Sequence, residues 1–178
     1  MQQSWMRAVS AVVLAAGLLA GGGAASGQAA PGVRDVDWRN AEFTVPPVGP
    51  CPEQSVRFAD GAAEAGDSVY RFTPEREIGY ADVTGEGVED ALILMDCGPR
   101  NSEYSRALIA MTTGPDGVAV RPLGTVVSPP VWTQVPNRFT ISQGDIAVGL
   151  EDFDTGQNWT EHYRWAQSAR AFVRVDGR

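Results

Sequence analysis

Two short apolar runs, residues 91–95 and 107–111, constrain the fold more than any other feature of the sequence. Every position in each run is apolar, so a strand formed from it would be covered on both faces and would lie at the centre of a sheet. Turn-forming residues flank both runs closely, which favours strands over buried helices of the same composition. The sequence therefore predicts a β protein with these two strands at its centre.

The rest of the chain repeats short apolar segments bounded by Gly, Pro, Asp and Asn. Most gaps between the segments are two to seven residues long, which favours antiparallel hairpins over alternating strands and helices. The predicted strands are residues 68–72, 78–83, 88–97, 106–112, 118–123, 131–135, 138–141, 145–150, 160–165 and 171–175, and residues 59–65 offer a helical turn. We therefore predict an all-β, mostly antiparallel fold with little helix, either a small sandwich or a partly closed sheet of hairpins.

Residues 1–30 have the pattern of a cleaved secretory signal peptide. Arg7 precedes an apolar run over residues 8–20, and a stretch rich in Gly and Ala follows. Cleavage requires small residues at the −3 and −1 positions, and both Ala24 with Ser26 and Gly27 with Ala29 meet this, which places the cut between residues 26 and 30. An uncleaved membrane anchor is the alternative, but the run is shorter than the ~20 residues that a membrane span needs. We therefore expect a secreted mature chain without a membrane span.

Cys51 and Cys97 are the two cysteines of the chain. In an exported protein they are expected to form a disulfide, which would stabilise the fold by about 4 kcal/mol in the chain-entropy model. A reactive thiol is the alternative, but no C-x-x-C spacing is present and Cys97 follows an apolar run, where a thiol tends to be inert. We place this bond in a single β-rich domain over residues 51–178. A linker-like segment rich in Pro, residues 31–50, precedes the domain.

The charge of the chain limits its partners. It has 22 acidic residues against 14 basic ones, all of them arginine, which gives a formal net charge of −8. Such a surface repels phosphate backbones. Nucleic acid is therefore not an expected partner.

The acidic segment over residues 82–90 has the composition of a cation-binding loop. It places oxygen ligands at alternate positions: Asp82, Thr84, Glu86, the backbone carbonyl of Val88, and Asp90. Calcium takes six to eight such oxygens, and Gly87 would allow the required sharp turn. An EF-hand is excluded because its twelfth position, which should be a bidentate acid, is Ile93. The alternative is a turn in which Asp82 bonds to the backbone and the other acids stay solvated.

The acidic segment resembles the calcium loops of integrin-type FG-GAP repeats, with the pattern D-x-[DN]-x-D-G-x-x-D. Asp82, Gly87 and Asp90 match that pattern, whereas Thr84 and Glu86 depart from it. The resemblance implies a calcium ion held in a loop between two strands. No other cofactor is expected.

The wider sequence is similar to a family of secreted proteins and lipoproteins of actinobacteria. The similarity rests on Asp37-Trp38, the two cysteines, the Y-A-D-V-T-G-x-G-x-x-D-A hairpin over residues 80–91, and Tyr163-Arg164-Trp165 followed by Phe172-Val173. An arginine-only set of basic residues fits a GC-rich genome of that kind. The resemblance implies export and brings no particular activity with it.

The sequence offers few groups for catalysis and several for binding. It contains no G-x-S-x-G or H-E-x-x-H motif, and His162 is its one histidine. Aromatic side chains that could form a binding surface are Trp132, Trp159, Trp165 and Tyr104, although such residues also fill the edges of small β cores. We predict a secreted, non-enzymatic envelope or extracellular domain that binds a protein or a glycan. The alternative is a small secreted hydrolase whose chemistry uses Glu86, Glu89 or Asp90.

Overall fold

The computed structural model describes residues 31–176, so the predicted signal peptide at residues 1–30 lies outside the described residues. After a 3₁₀ turn at Val33–Asp35, the chain forms β strands joined by turns. In chain order they are β1 (Glu42–Val45), β2 (Gln54–Arg57), β3 (Ala62–Ala65), β4 (Ser68–Phe72), β5 (Gly79–Ala81), β6 (Asp90–Pro99), β7 (Ser105–Thr113), β8 (Val120–Val127), β9 (Gln134–Ser142), β10 (Asp145–Asp152), β11 (Gln157–Ala166) and β12 (Ala171–Arg174). The strands pair antiparallel in three sheets. The prediction of an all-β antiparallel fold with little helix is confirmed.

The largest sheet has the strand order β3-β4-β6-β7-β8, with β5 beside β4 on the same edge of β6. Its central strands β6 and β7 contain the two apolar runs. Ile93 and Ile109, which are cross-strand partners, face one core, whereas Leu94 and Leu108 face another. Because successive side chains of a strand point to opposite faces, both faces of this sheet are covered. The predicted central position of these runs is confirmed.

The N-terminal part of the chain covers one face of the large sheet. β1 and β2 form a two-stranded ribbon, and the aromatic side chains of this layer contact one another in series. Trp38 packs edge-on against Phe43, Phe43 stacks on Phe58, and Phe58 packs edge-on against Phe72 of β4. The Trp38 indole is buried and donates to the Val33 carbonyl at 2.9 Å. Aromatic packing therefore fixes this layer on the sheet.

A four-stranded sheet with the order β12-β11-β10-β9 covers the other face. Ile146, Val148 and Leu150 alternate along β10 and point into the second core, where they meet Leu94 and Leu108. The final hairpin pairs β11 with β12 through the partners Trp165 and Phe172, as the sequence predicts. The molecule is thus a three-layered sandwich of strands.

Cys51 and Cys97 form a disulfide, with their Cα atoms 6.3 Å apart. Cys51 follows β1 in the N-terminal layer, and Cys97 lies on the central strand β6. The bond therefore ties the turn between β1 and β2 to the middle of the large sheet. The predicted pairing is confirmed.

Three differences between the structure and the predicted segments stand out. The helical turn predicted at residues 59–65 is wrong, because β3 forms there as half of a hairpin with β4, closed by Gly66 at φ +60°. Residues 31–50 were predicted to be linker-like, but they supply buried side chains, including Trp38 and Phe43, to the first core. The two strands predicted at residues 131–135 and 138–141 are a single strand, β9.

Within residues 31–176, the structure contains no helix that is long and apolar enough to cross a membrane.

Candidate binding surface

An open groove of about 690 Å³ lies where the turn after β1 meets the turn after β8. We call it the Trp132 groove. Its lining combines four prolines, three hydroxyl side chains, one glycine and one tryptophan: Pro47, Pro50, Pro129, Pro130, Ser105, Thr125, Ser128, Gly49 and Trp132.

Trp132 stands on the wall of this groove with 49% of its surface exposed. The turn that carries it is closed by a hydrogen bond from the Gln134 N–H to the Val131 carbonyl, 3.0 Å long. Since β9 begins only at Gln134, the indole belongs to the turn and is not drawn into the core between the sheets. A large apolar ring with a polar N–H is thereby presented to solvent, as in many recognition surfaces.

The opposite wall of the groove is a tight turn between Val48 and Cys51. The two residues exchange backbone hydrogen bonds of 2.9 and 3.1 Å, and Gly49 between them has φ +54°. A Cβ atom at Gly49 would lie 2.2 Å from the Ser105 Cβ, so the turn packs directly on β7. Ser105 is itself the cross-strand partner of Cys97, which the disulfide joins to Cys51. This wall is therefore fixed by its backbone packing on β7 and by the disulfide to Cys97.

Two hydroxyl groups join the two walls of the groove. The Gly49 N–H donates to the Ser128 Oγ at 2.9 Å, and the Thr125 Oγ1 donates to the Pro47 carbonyl at 2.6 Å. These bonds connect residues about eighty positions apart in sequence, 79 for the first pair and 78 for the second. The groove is thus preformed, which lowers the ordering cost of binding a ligand.

A second, smaller cleft of about 340 Å³ adjoins the groove and shares Ser128, Pro129 and Pro130 with it. We call it the Glu161 cleft. Trp159 and Glu161 line it on β11. Two of the three predicted surface tryptophans, Trp132 and Trp159, therefore line clefts that share the same proline turn. The structure thus places these two predicted residues in adjoining clefts.

Glu161 is held by three donors in the Glu161 cleft. The Trp159 Nε1 and the Arg174 Nη1 donate to its Oε1 at 3.0 and 2.6 Å, and the Tyr163 hydroxyl donates to its Oε2. Alternate residues of a strand share a face, which explains why Trp159, Glu161 and Tyr163 meet. Burial, and then the bond to the Glu161 carboxylate, raise the pKa of Tyr163. The phenol therefore stays protonated and acts as a fixed donor.

The acidic loop forms a turn around Asp82. Both oxygens of its carboxylate accept backbone N–H groups, from Gly85 at 2.7 Å, Glu86 at 3.1 Å and Gly87 at 2.7 Å. Burial acts to raise the pKa of Asp82, but these backbone bonds outweigh it and hold the pKa below its usual value. Thr84 adds a longer bond of 3.4 Å to the same carboxylate.

Asp90, the last predicted ligand of the loop, points into the protein instead. It is only 1% exposed, and its carboxylate accepts the Val83 N–H at 3.1 Å. Burial raises the pKa of Asp90, although bonds from Thr112 and Val83 oppose that effect. Asp82 and Asp90 thus bond separate parts of the loop backbone.

The remaining predicted ligands, Glu86 and Val88, are exposed on the outer side of the loop. Within residues 31–176, no three His, Cys, Asp or Glu side chains gather closely enough to hold a metal ion. An ion bound at this loop would have to compete with the loop amides for Asp82, which favours the turn interpretation.

Two of the acids proposed for a hydrolase, Glu86 and Glu89, line one open groove beside the N-terminal segment. Glu89 forms a two-pronged ion pair with Arg34, with bonds of 2.6 and 2.9 Å. This pair lowers the pKa of Glu89, whereas a general acid at neutral pH needs a raised pKa. Asp90 has a raised pKa but is buried away from this groove.

Trp165 and Tyr104, the other predicted surface aromatics, lie elsewhere. Trp165 is half-buried, donates its indole N–H to Gln167 at 2.7 Å and packs on Phe172. Tyr104 is half-buried beneath the guanidinium of Arg71, 3.8 Å from the ring centre. Neither residue lines the Trp132 groove.

The prolines and hydroxyl groups of the groove are not among the residues that the sequence singles out. Their signal was present as the two Pro-Pro pairs, at residues 46–47 and 129–130. Each pair stiffens a turn, because proline fixes its own φ and restricts the residue before it. Nothing in the local sequence, however, shows that the two turns face each other.

Comparison with family models, curated proteins and solved structures found no match to the chain. The similarity to secreted actinobacterial proteins therefore stays a prediction.

Proposed function

We propose that this chain is an exported, non-enzymatic binding domain of the cell envelope or extracellular space, and that it binds its ligand at the Trp132 groove. The observation that carries the proposal is the half-exposed Trp132 on the wall of a groove whose two walls are fixed to each other. Tryptophan is enriched among the residues that dominate binding energy. The Cys51–Cys97 disulfide supports export, since such bonds persist in oxidising compartments.

The lining of the Trp132 groove favours binding over catalysis. Among the residues that the structure describes, those that line the groove include no acid, histidine, lysine, arginine or tyrosine. General acid–base catalysis requires a titratable group within hydrogen-bond reach of the reacting atoms. A ligand in this groove would meet prolines, hydroxyl groups and an indole, which can hold it without transferring a proton.

Co-sedimentation with insoluble cell-envelope fragments of the producing organism tests this proposal. The purified exported chain is compared with its Trp132→Ala variant and with Val131→Ala, a control at an exposed apolar neighbour. We expect the wild type and Val131→Ala to sediment with the fragments. Trp132→Ala should bind them at least about tenfold more weakly. Circular dichroism and melting establish that all three are folded alike. Failure of the wild type to sediment, or equal binding by Trp132→Ala, would contradict the proposal.

A further inference from the structure

The Trp132 groove is uncharged on a protein that carries a net negative charge. Charged residues make up 20% of the chain, and its net charge is −8. Yet none of the described residues that line the groove is ionisable. A charged group that entered it would lose water and find no counter-charge, which is costly. The lining therefore offers a charged ligand no counter-charge and favours an uncharged one.

The hydroxyl groups of the groove retain free hydrogen-bonding capacity. Ser128 accepts the Gly49 N–H, so its own hydroxyl proton remains available to a ligand. Thr125 donates to the Pro47 carbonyl, so the lone pairs of its oxygen remain available. A hydroxyl carries one donor and two acceptor positions. The groove thus presents both a donor and an acceptor, which suits a ligand whose groups can act as either.

Trp132 supplies a flat apolar surface beside these hydroxyl groups. Its indole is about half exposed, with no other aromatic side chain among the described residues that line the groove. A sugar ring has one apolar face of C–H groups and a rim of hydroxyl groups. It can therefore lie on the indole while its rim exchanges hydrogen bonds with Ser128 and Thr125.

We propose, on the basis of the binding function proposed above, that the Trp132 groove binds an uncharged saccharide chain. A proline-rich peptide is the main competing ligand, but such peptides dock into grooves lined by several aromatic rings. Here the prolines belong to the groove itself, and Trp132 is its single aromatic residue among those described. An uncharged saccharide fits all three features of the groove: its hydroxyl groups, its single aromatic ring and its lack of charged residues.

Binding can be measured through the indole N–H signals in ¹H–¹⁵N spectra of the exported chain. The neutral probes are soluble α-glucan, β-glucan, mannan, galactan and arabinan fragments. Polygalacturonate is the charged probe, and a proline-rich decapeptide is the peptide probe. We expect at least one neutral saccharide to shift the Trp132 signal, assigned with Trp132→Phe, and to leave that of the buried Trp38 unchanged. Trp132→Ala should weaken this binding by about tenfold or more, and Val131→Ala should not.

The outcomes separate the ligand class from the binding function. If no neutral saccharide shifts the Trp132 signal, or if polygalacturonate binds equally well, the saccharide inference is overturned. If the decapeptide binds at Trp132 and the saccharides do not, the inference is again overturned, while the proposed binding domain stands. If the wild type does not co-sediment with the envelope fragments, both the proposed binding function and the saccharide inference are overturned. Ser128→Ala removes both a free hydroxyl donor and the bond that joins the two walls, so it should weaken saccharide binding; a variant that binds the saccharide as well as wild type would contradict the inference.

Discussion

Gly49 lies so close to Ser105 that a Cβ atom on the glycine would be 2.2 Å from the Ser105 Cβ. Real Cβ atoms do not approach each other this closely, so only glycine fits between the turn and β7. The same turn is joined to β6 by the disulfide at Cys51 and to the facing wall by the bond from Gly49 to Ser128. One wall of the Trp132 groove is therefore held by a backbone contact, a covalent bond and a hydrogen bond.

Replacing Gly49 by alanine should destabilise the protein more than the same change at Gly66. Both glycines have positive φ, +54° and +60°, so both changes carry a left-handed cost of about 1 kcal/mol. Only Gly49 also meets a neighbour, because the space around Gly66 is open. Overpacking should add about 1–3 kcal/mol to the cost of Gly49→Ala. Urea unfolding of the two variants measures the difference.

The close contact can be relieved by a second change. Ser105→Gly removes the Cβ atom that an alanine at position 49 would meet, so the double variant should regain part of the lost stability. If Gly49→Ala costs no more than Gly66→Ala, the turn does not pack on β7 as described.

Removing the disulfide should lower the free energy of unfolding by about 4 kcal/mol, since the bond closes a loop with a sequence separation of 46 residues. The Cys51→Ala, Cys97→Ala double variant measures this by urea unfolding. Wild-type protein with a reductant controls for the lost side-chain packing. A reductant should shift the midpoint of the wild type and leave that of the double variant in place. A wild type that is insensitive to reductant throughout unfolding would argue against the bond.

Asp82 should stabilise the acidic loop in a pH-dependent way. Its pKa lies below the ordinary value of 3.8, so the folded state favours the ionised form. The resulting stability is complete above that value and is lost as the pH falls through the folded pKa. Asp82→Ala should therefore cost about 1 kcal/mol at neutral pH, comparable to the loss of a helix cap. The difference in the free energy of unfolding between the variant and wild type should become smaller at acidic pH.

Thermal melting of the wild type and Asp82→Ala across the acidic range measures this effect. A difference in melting midpoint between the two proteins that is constant with pH, or that grows as the pH falls, would show that the charge of the Asp82 carboxylate does not stabilise the loop.

Calcium should change the melting midpoint little. Both oxygens of Asp82 already accept loop N–H groups, and Asp90 is turned into the protein. A ligand that binds only the folded state must raise the midpoint. We therefore expect melting curves with and without millimolar calcium to coincide. A clear rise in the wild type that is absent from Asp82→Ala would contradict this and support the calcium-loop interpretation.

The core of the fold could be predicted because its signal is local. A strand with apolar residues at every position, as in residues 91–95, must be covered on both faces wherever the rest of the chain lies. The disulfide was predictable for a similar reason, since Cys51 and Cys97 are the two cysteines present. The segment at residues 31–50 looked like a linker because its prolines dominate the pattern. This segment contributes to the hydrophobic core through single buried residues such as Trp38 and Phe43.

The residues of the proposed binding surface could be predicted only in part. Trp132 and Trp159 stand out as aromatic residues near turns, but their separation of 27 positions says nothing about a shared proline turn. Their relationship depends on how the β9–β12 sheet packs on β8, which is a tertiary effect. The contact of Gly49 with Ser105 likewise arises only once the ribbon lies on the large sheet. The alanine-rich residues 59–65 mislead for a related reason, because hairpin pairing with β4 overrides their helical preference.

Hydrogen–deuterium exchange of the exported chain, with and without cell-envelope fragments, tests most directly where this protein binds. We predict that the fragments slow exchange at the amides of Gly49, Ser128 and Trp132, and leave residues 82–90 unchanged. Slower exchange confined to residues 82–90, or no change at the Trp132 groove, would contradict the account.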